Sequence, residues 1–161
     1  MAKMRVGYGY DVHRLVKNRK LILGGVVVPY HLGLKGHSDA DVLIHAVIDA
    51  LLGAAALGDI GKHFPDTDSR YKNIDSRELL LKTRNLLSTE KIIINNIDAT
   101  IVAQEPKLIE YIPEMKSNIA EDLDLRVDEV NIKATTGEQI GAMGRSEGIS
   151  ATAITLLQSM E

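Results

Sequence analysis

Apolar and polar positions alternate with a period of two along residues 5–15, where Val6, Tyr8, Tyr10 and Val12 interleave with Gly7, Gly9, Asp11 and His13. That pattern predicts a strand. Its second face holds two glycines and then Asp11 and His13, whose side chains point the same way about 6.5–7 Å apart. The glycines leave this face open for close approach by another element. After a turn at residues 16–20, residues 21–29 read as paired short strands around a Gly24-Gly25 bend. The period then changes. Val42, Leu43, Ile44, Val47, Ile48, Leu51, Leu52 and Leu57 predict a helix apolar on nearly every face, buried in a core or a subunit interface. The run is too short, and too interrupted by Asp41, His45 and Asp49, to span a membrane. Ser38 or Asp39 is expected to cap the helix start, and Asp41 and His45, four residues apart, are expected to share a face.

A loop dense in Gly, Asp and Pro follows at residues 57–68. Asp75 with Glu78 resembles a capping box opening a second helix through about residue 88. Residues 92–94 and 97–103 give one or two strands. Pro113 fits the first position of a third helix with the stripe Met115, Ile119 and Leu123. Alternation of Val130, Ile132 and Ala134 predicts a further strand, whereas periodicity leaves residues 149–157 open between strand and helix. The order predicts an α+β fold: a two-layer sandwich of a mixed β-sheet with helices packed on one face. Residues 1–161 fit one domain, long enough for a proper core.

Composition narrows the chemistry. With 19 basic and 22 acidic side chains the net charge is −3, so no nucleic-acid surface is expected, and an anionic substrate must be held by local devices. Cysteine is absent, so a transition metal here must use histidine and carboxylate. The opening residues Met1-Ala2-Lys3-Met4-Arg5-Val6 lack the apolar core of a signal peptide, which makes the cytoplasm the expected compartment and a membrane an unexpected partner. No dinucleotide fingerprint or P-loop is present; Gly7-Tyr8-Gly9 lacks the third glycine and the following helix.

Asp11, His13 and His45 then make an open metal site, one carboxylate and two imidazoles that leave a fourth tetrahedral position for substrate. The plain alternative for Asp11 and His13 is a hydrogen-bonded polar pair at a strand end. His45 tips the balance, because an imidazole embedded in an apolar helix needs a partner. His37 precedes the helix and suits either an anion or an exposed loop. Asp59 and Asp66 suit turns or sugar hydroxyls. Gln104-Glu105-Pro106-Lys107 reads as a strand-to-helix turn or as a holder of a base or phosphate. Thr135-Thr136-Gly137-Glu138 reads as a strand end or as a site for phosphate with a hard divalent cation. His31 and His63 are expected at the surface.

Together these motifs resemble the 2-C-methyl-D-erythritol 2,4-cyclodiphosphate synthase family. The resemblance runs through Gly7-Tyr8-Gly9-Tyr10-Asp11-Val12-His13 and the block His37-Ser38-Asp39-Ala40-Asp41-Val42-Leu43-Ile44-His45-Ala46. It continues through Gly58-Asp59-Ile60-Gly61, Phe64-Pro65-Asp66-Thr67-Asp68, Ala103-Gln104-Glu105-Pro106-Lys107, Lys133-Ala134-Thr135-Thr136-Gly137-Glu138 and Gly144-Arg145-Ser146-Glu147-Gly148. It spans essentially the whole chain, in order.

The resemblance implies a reaction in non-mevalonate isoprenoid synthesis. The 2-phosphate of a CDP-linked methylerythritol 2-phosphate attacks its own β-phosphate, and CMP leaves. It implies a homotrimer with active sites between subunits and an apolar three-fold cavity open to an isoprenoid diphosphate. Asp11, His13 and His45 would hold Zn²⁺, and Glu138 would hold Mg²⁺ or Mn²⁺. His37 and Thr136 would steady the phosphates, as the catalytic pair. The substrate's cytidine would lie against Ala103 through Ile109, with Lys107 and Leu108 among them. Ser38, Asp59, Ile60, Gly61 and the loop Phe64, Pro65, Asp66, Thr67 and Asp68 would receive sugar and methylerythritol hydroxyls. Thr135, Gly137, Ala142 and Arg145 complete the implied substrate contacts. The chain departs from the family near Ala142-Met143, where relatives often carry an aromatic, and at Gly137, where they often carry Thr. Competing readings are a zinc-dependent phosphohydrolase using the same ligands on water, and a trimeric, metal-stapled binding protein without turnover.

Overall fold

The computed structural model describes residues 3–159; Met1, Ala2, Met160 and Glu161, the ends of the expected single domain, lie outside the described residues. The predicted first strand is β1 (Lys3–Val16), followed by β2 (Leu21–Leu23) and β3 (Val26–Val28), which pair as a separate hairpin around Gly24-Gly25. After β4 (Gly33–Leu34) come α1 (Val42–Ala55), the short α2 (Ile60–His63) and α3 (Ser76–Thr89). The chain continues through β5 (Ile92–Val102), α4 (Ile112–Leu123), β6 (Val130–Thr135), α5 (Gly141–Gly144) and β7 (Gly148–Ser159). The main sheet is five-stranded and mixed, in the order β4-β1-β7-β5-β6. Among the described residues only β5 and β6 run parallel, joined by α4 as a crossover. Among the described residues no helix is long and apolar enough to cross a membrane.

Two open readings are settled by this topology. Residues 92–102 form one strand, with a register shift between Ile94 and Asn96 against β7. The tail is a strand, and it lies between β1 and β5. A strand covered over much of both faces carries apolar residues without clean alternation, which is why its period was uninformative.

The helical layer sits on the face of β1 that carries glycine. A Cβ on Gly7 would stand 2.0 Å from the Ala50 carbonyl oxygen, and one on Gly9 would stand 1.9 Å from that of Ala46. Only hydrogen fits there, so α1 lies directly on the strand. Nearly all of α1 is buried; Asp49 and Gly53 are its exceptions. Met115, Ile119 and Leu123 of α4 close the core beside it, as their spacing predicts. Pro113 stands one position later than expected, because α4 begins at Ile112.

The expected cap of α1 needs correction. The N-cap is Asp41, not Ser38 or Asp39. Asp41 therefore does not share a helical face with His45. Its Oδ1 accepts from the backbone N–H groups of Ile44 (3.1 Å) and Gly24 (2.9 Å), and its Oδ2 accepts from Gly25 N–H (2.7 Å). The two glycines, at φ +57° and +71°, turn their amides toward this carboxylate. One acid thus caps a helix and closes a hairpin. Burial, with Asp39 nearby, pushes its pKa up to about 6 against three favourable backbone hydrogen bonds.

The opposite face of β1 is bare. Val6, Tyr8, Tyr10 and Val12 are exposed, and Tyr8 stands opposite exposed Ile154 of β7. So contiguous an apolar strip on one sheet face is uncommon for a monomer.

Candidate metal centre and substrate cavities

Asp11 and His13 come from β1 and His45 from the first turn of α1, two elements held together at Gly7 and Gly9. One ligand atom from each of the three lies within 4.8 Å of the other two. Asp11 Oδ2 is 2.9 Å from His13 Nε2 and 3.0 Å from His45 Nδ1, and the two ring nitrogens are 3.3 Å apart. The imidazoles meet edge to face, with centroids 5.3 Å apart. Gly36 supplies room for the His13 ring; a Cβ there would stand 3.1 Å from its Cε1.

Polar groups behind the rings aim these nitrogens. His13 Nδ1 lies 2.7 Å from the Lys35 carbonyl oxygen, which only accepts, so Nδ1 carries a proton and Nε2 is the nitrogen turned to Asp11 and His45. His45 Nε2 lies 2.9 Å from Ser76 Oγ and 3.1 Å from Ser38 Oγ. Burial opposes ionisation of Asp11, but the hydrogen bonds and charge of His13 and His45 hold its carboxyl well below the usual carboxylate range. Burial likewise opposes protonation of His13, yet Asp11 raises its pKa on balance. The proton that such an acid and base hold between them is what a divalent cation displaces when it enters. The donor set of two imidazoles and one carboxylate, without thiolate, fits a borderline metal with an open position.

A cavity of about 430 Å³ opens over the cluster. It gathers Asp11, His13, His37, Ser38 and His45 with Ile60, Gly61, Phe64, Pro65 and Asp66, all named from the sequence. Gly36, Asp49, Tyr71 and Leu79 line it too and are not among the residues that the sequence points to. Asp49 had a signal, since it stands one turn after His45 on the same helix; its Oδ1 accepts from Ile60 N–H at 2.8 Å, tying α2 to α1. His37 Nε2 pairs with the Asp68 carbonyl oxygen at 2.9 Å. Asp59 caps α2, and Asp68 caps the turn at Ser69–Tyr71 while pairing with Arg70, so neither side chain is free in this arrangement. Thr67 is exposed, outside the cavity wall.

A second cavity, about 470 Å³, lies where the parallel strands β5 and β6 end. Ala103 N–H donates to the Thr135 carbonyl at 3.0 Å, which joins the two chain segments there. Ala103, Gln104, Pro106, Lys107, Leu108, Ile109, Thr135 and Thr136 line this cavity. The crevice beyond the carboxyl ends of parallel strands is a common place for ligands. Glu105, Gly137, Glu138, Ala142 and Arg145 lie outside both walls. Glu138 is exposed at φ +52°, its N–H bonded to Thr136 Oγ1 at 3.2 Å, and Arg145 pairs with Glu147 at 2.7 Å. A larger cavity, about 580 Å³, at the C-terminal ends of α3 and α4 holds none of the named residues. Among the described residues the two candidate cavities share no lining residue.

The YgbB family matches residues 4–158. The chain belongs to this family. Its relatives include the 2-C-methyl-D-erythritol 2,4-cyclodiphosphate synthase of Geobacter metallireducens, 61% identical over 155 residues that cover 96% of this chain and 99% of that protein. The protein of the same name from Alkaliphilus metalliredigens is 64% identical over 151 residues, 94% of this chain and 95% of that one. Among solved structures, Plasmodium falciparum IspF in complex with CDP superposes with a TM-score of 0.85 at 30% identity, covering 98% of this chain and 97% of that one. The bifunctional IspDF of Campylobacter jejuni gives 0.95 at 43% identity, covering all of this chain and 44% of that longer chain.

Proposed function

We propose that the chain converts 4-diphosphocytidyl-2-C-methyl-D-erythritol 2-phosphate into 2-C-methyl-D-erythritol 2,4-cyclodiphosphate and CMP, as a lyase of the non-mevalonate isoprenoid pathway. An oxygen of the 2-phosphate forms a bond to the β-phosphorus. The bond from that phosphorus to the bridging oxygen breaks, and CMP leaves with the electron pair. The observation that carries this reading is the Asp11, His13 and His45 cluster, with ligand atoms within 4.8 Å, under an open cavity.

Such a transfer needs charge neutralised on the phosphate oxygens and attacker and leaving group held in line. Asp11 Oδ2, His13 Nε2 and His45 Nδ1 would hold Zn²⁺, and Glu138 would hold Mg²⁺ or Mn²⁺. Bound there, the two cations supply Lewis acidity and counter-charge to the diphosphate. The remaining work belongs to side chains. His37 and Thr136 orient the phosphates, and the segment from Ala103 to Ile109 takes the cytidine. Ser38 and the walls from Ile60 to Asp66 fold the methylerythritol arm back on itself. Attacker and target are one molecule, so orientation contributes up to about 7–11 kcal/mol.

The active unit in this reading is a homotrimer built from a single catalytic domain, residues 1–161. Two observations support it: the bare strip of Val6, Tyr8, Tyr10, Val12 and Ile154, and two candidate cavities that have no lining residue in common among the described residues. Packing three such strips about an axis brings one chain's metal cavity to its neighbour's cytidine cavity, and leaves an axial apolar cavity able to take an isoprenoid diphosphate. A cytoplasmic location is part of the same reading. Mass analysis of the product tests the reaction: a cyclic diphosphate with CMP is expected, and a linear phosphate product overturns ring closure. Sedimentation at three times the 17.6 kDa chain mass tests the assembly.

A further inference from the structure

His45 has two ways to place its single proton. In one, Nδ1–H donates to Asp11 Oδ2, 3.0 Å away, and the Ser38 hydroxyl, 3.1 Å away, donates to Nε2. In the other, Nε2–H donates to Ser76 Oγ, 2.9 Å away, and Nδ1 keeps its lone pair toward Asp11 and His13. The first arrangement blocks metal at Nδ1, because the lone pair is used. The second presents it.

What decides between them stands one step further back. Ser76 is fully buried, and its hydroxyl donates to Asp39 Oδ1 at 2.5 Å. A hydroxyl has one proton, so once Asp39 takes it, Ser76 Oγ faces His45 only as an acceptor. Asp39 is itself fixed: Oδ2 accepts from Ser76 N–H at 3.0 Å, and Oδ1 also accepts from Asp41 N–H at 3.1 Å. Neither residue lines the metal cavity. We infer that Asp39 and Ser76 form a relay that holds His45 as the Nε2–H tautomer and so sets the affinity of the Asp11, His13 and His45 site for a divalent metal. Both are positioning residues. Their effect travels through one ring, as outer hydrogen-bond partners of metal-binding histidines commonly do. Asp39 thereby links the α1 entry loop, the first turn of α3 and the ligand set.

This inference rests on the metal reading above, and the experiment separates the two. Metal-free parent, Ser76→Ala and Asp39→Asn proteins are titrated with Zn²⁺ against a chromophoric chelator at pH 8. The ¹⁵N shifts of His45 are recorded in the metal-free state. Ser76→Ala is expected to weaken binding by about 10–100-fold and to move the His45 proton toward Nδ1. Asp39→Asn, which keeps an oxygen for Ser76 but loses the charge, is expected to shift both readouts in the same direction by less. Should either variant fail to fold, the other carries the test, and a lowered melting temperature alone moves neither the tautomer nor the affinity of the folded fraction. A parent that binds Zn²⁺ while Ser76→Ala keeps the parental affinity and Nε2–H overturns the relay and spares the metal site. A parent that binds no Zn²⁺ overturns both.

Discussion

The two candidate cavities are built by different means. Around Asp11, His13 and His45 the decisive side chains are largely buried, and each ring has a fixed partner behind it. At the ends of β5 and β6, Lys107, Thr135 and Thr136 are exposed, and the wall owes its shape to backbone and to Ala103 and Leu108. The first is organised within one chain. The second is open, and in the proposed trimer a neighbour would complete it. A protein can thus carry a finished half of a site and an unfinished half at separate places, and symmetry can join them.

Removing His45 breaks this contrast most severely. His45→Ala is expected to lose both bound metal, by elemental analysis, and at least on the order of 10²-fold in turnover. Full metal occupancy in a folded variant would contradict the ligand assignment. Next comes the assembly. Tyr8→Glu places a charge in the apolar strip, so it should yield a monomer by sedimentation that still binds Zn²⁺ but turns over little, because only the second half-site is lost. Mixing inactive His45→Ala subunits with inactive Thr136→Ala subunits should restore activity absent from either, since a mixed assembly of the proposed kind would contain intact pairs of halves. No recovery after verified subunit exchange would place both halves in one chain.

Glu138→Gln should raise the Mg²⁺ or Mn²⁺ needed for half-maximal rate by roughly an order of magnitude, with zinc content unchanged. A further effect concerns Asp41, the cap of the helix that carries His45. Its folded pKa of about 6 exceeds the ordinary 3.8, so between those pH values the folded state holds a proton that the unfolded chain has released. Its contribution to stability is full below about pH 3.8 and is lost as pH rises toward 6, a change of about 3 kcal/mol. Urea melts across that range should show this slope in the parent and a flatter one in Asp41→Asn. Asp11, whose pKa is depressed, acts below this window with the opposite sign, and His13, whose pKa is raised, acts above 6.5.

Much of the first cavity was legible because its chemistry is local. The alternation in β1 places Asp11 and His13 together, and the apolar run around His45 marks that histidine as needing a partner. What escaped depends on packing between distant segments. Ser76 reaches His45 across 31 residues of sequence only because α3 begins beside α1. The cap of α1 was misread for the same reason: Asp41 is claimed by Gly24 and Gly25, on a hairpin 16 and 17 residues earlier, while Asp39 is drawn to Ser76. Local rules rank Ser38, Asp39 and Asp41 as nearly equal caps. Tertiary partners choose among them.

The seat of α1 on β1 has a reach beyond packing. Strand and helix carry the three donors on separate rails, and the gauge between those rails is two hydrogen atoms, at Gly7 and Gly9. A single methyl at Gly9 would wedge the rails apart at Ala46, the residue next to His45, and detune the grip on a cation that residue 9 never touches.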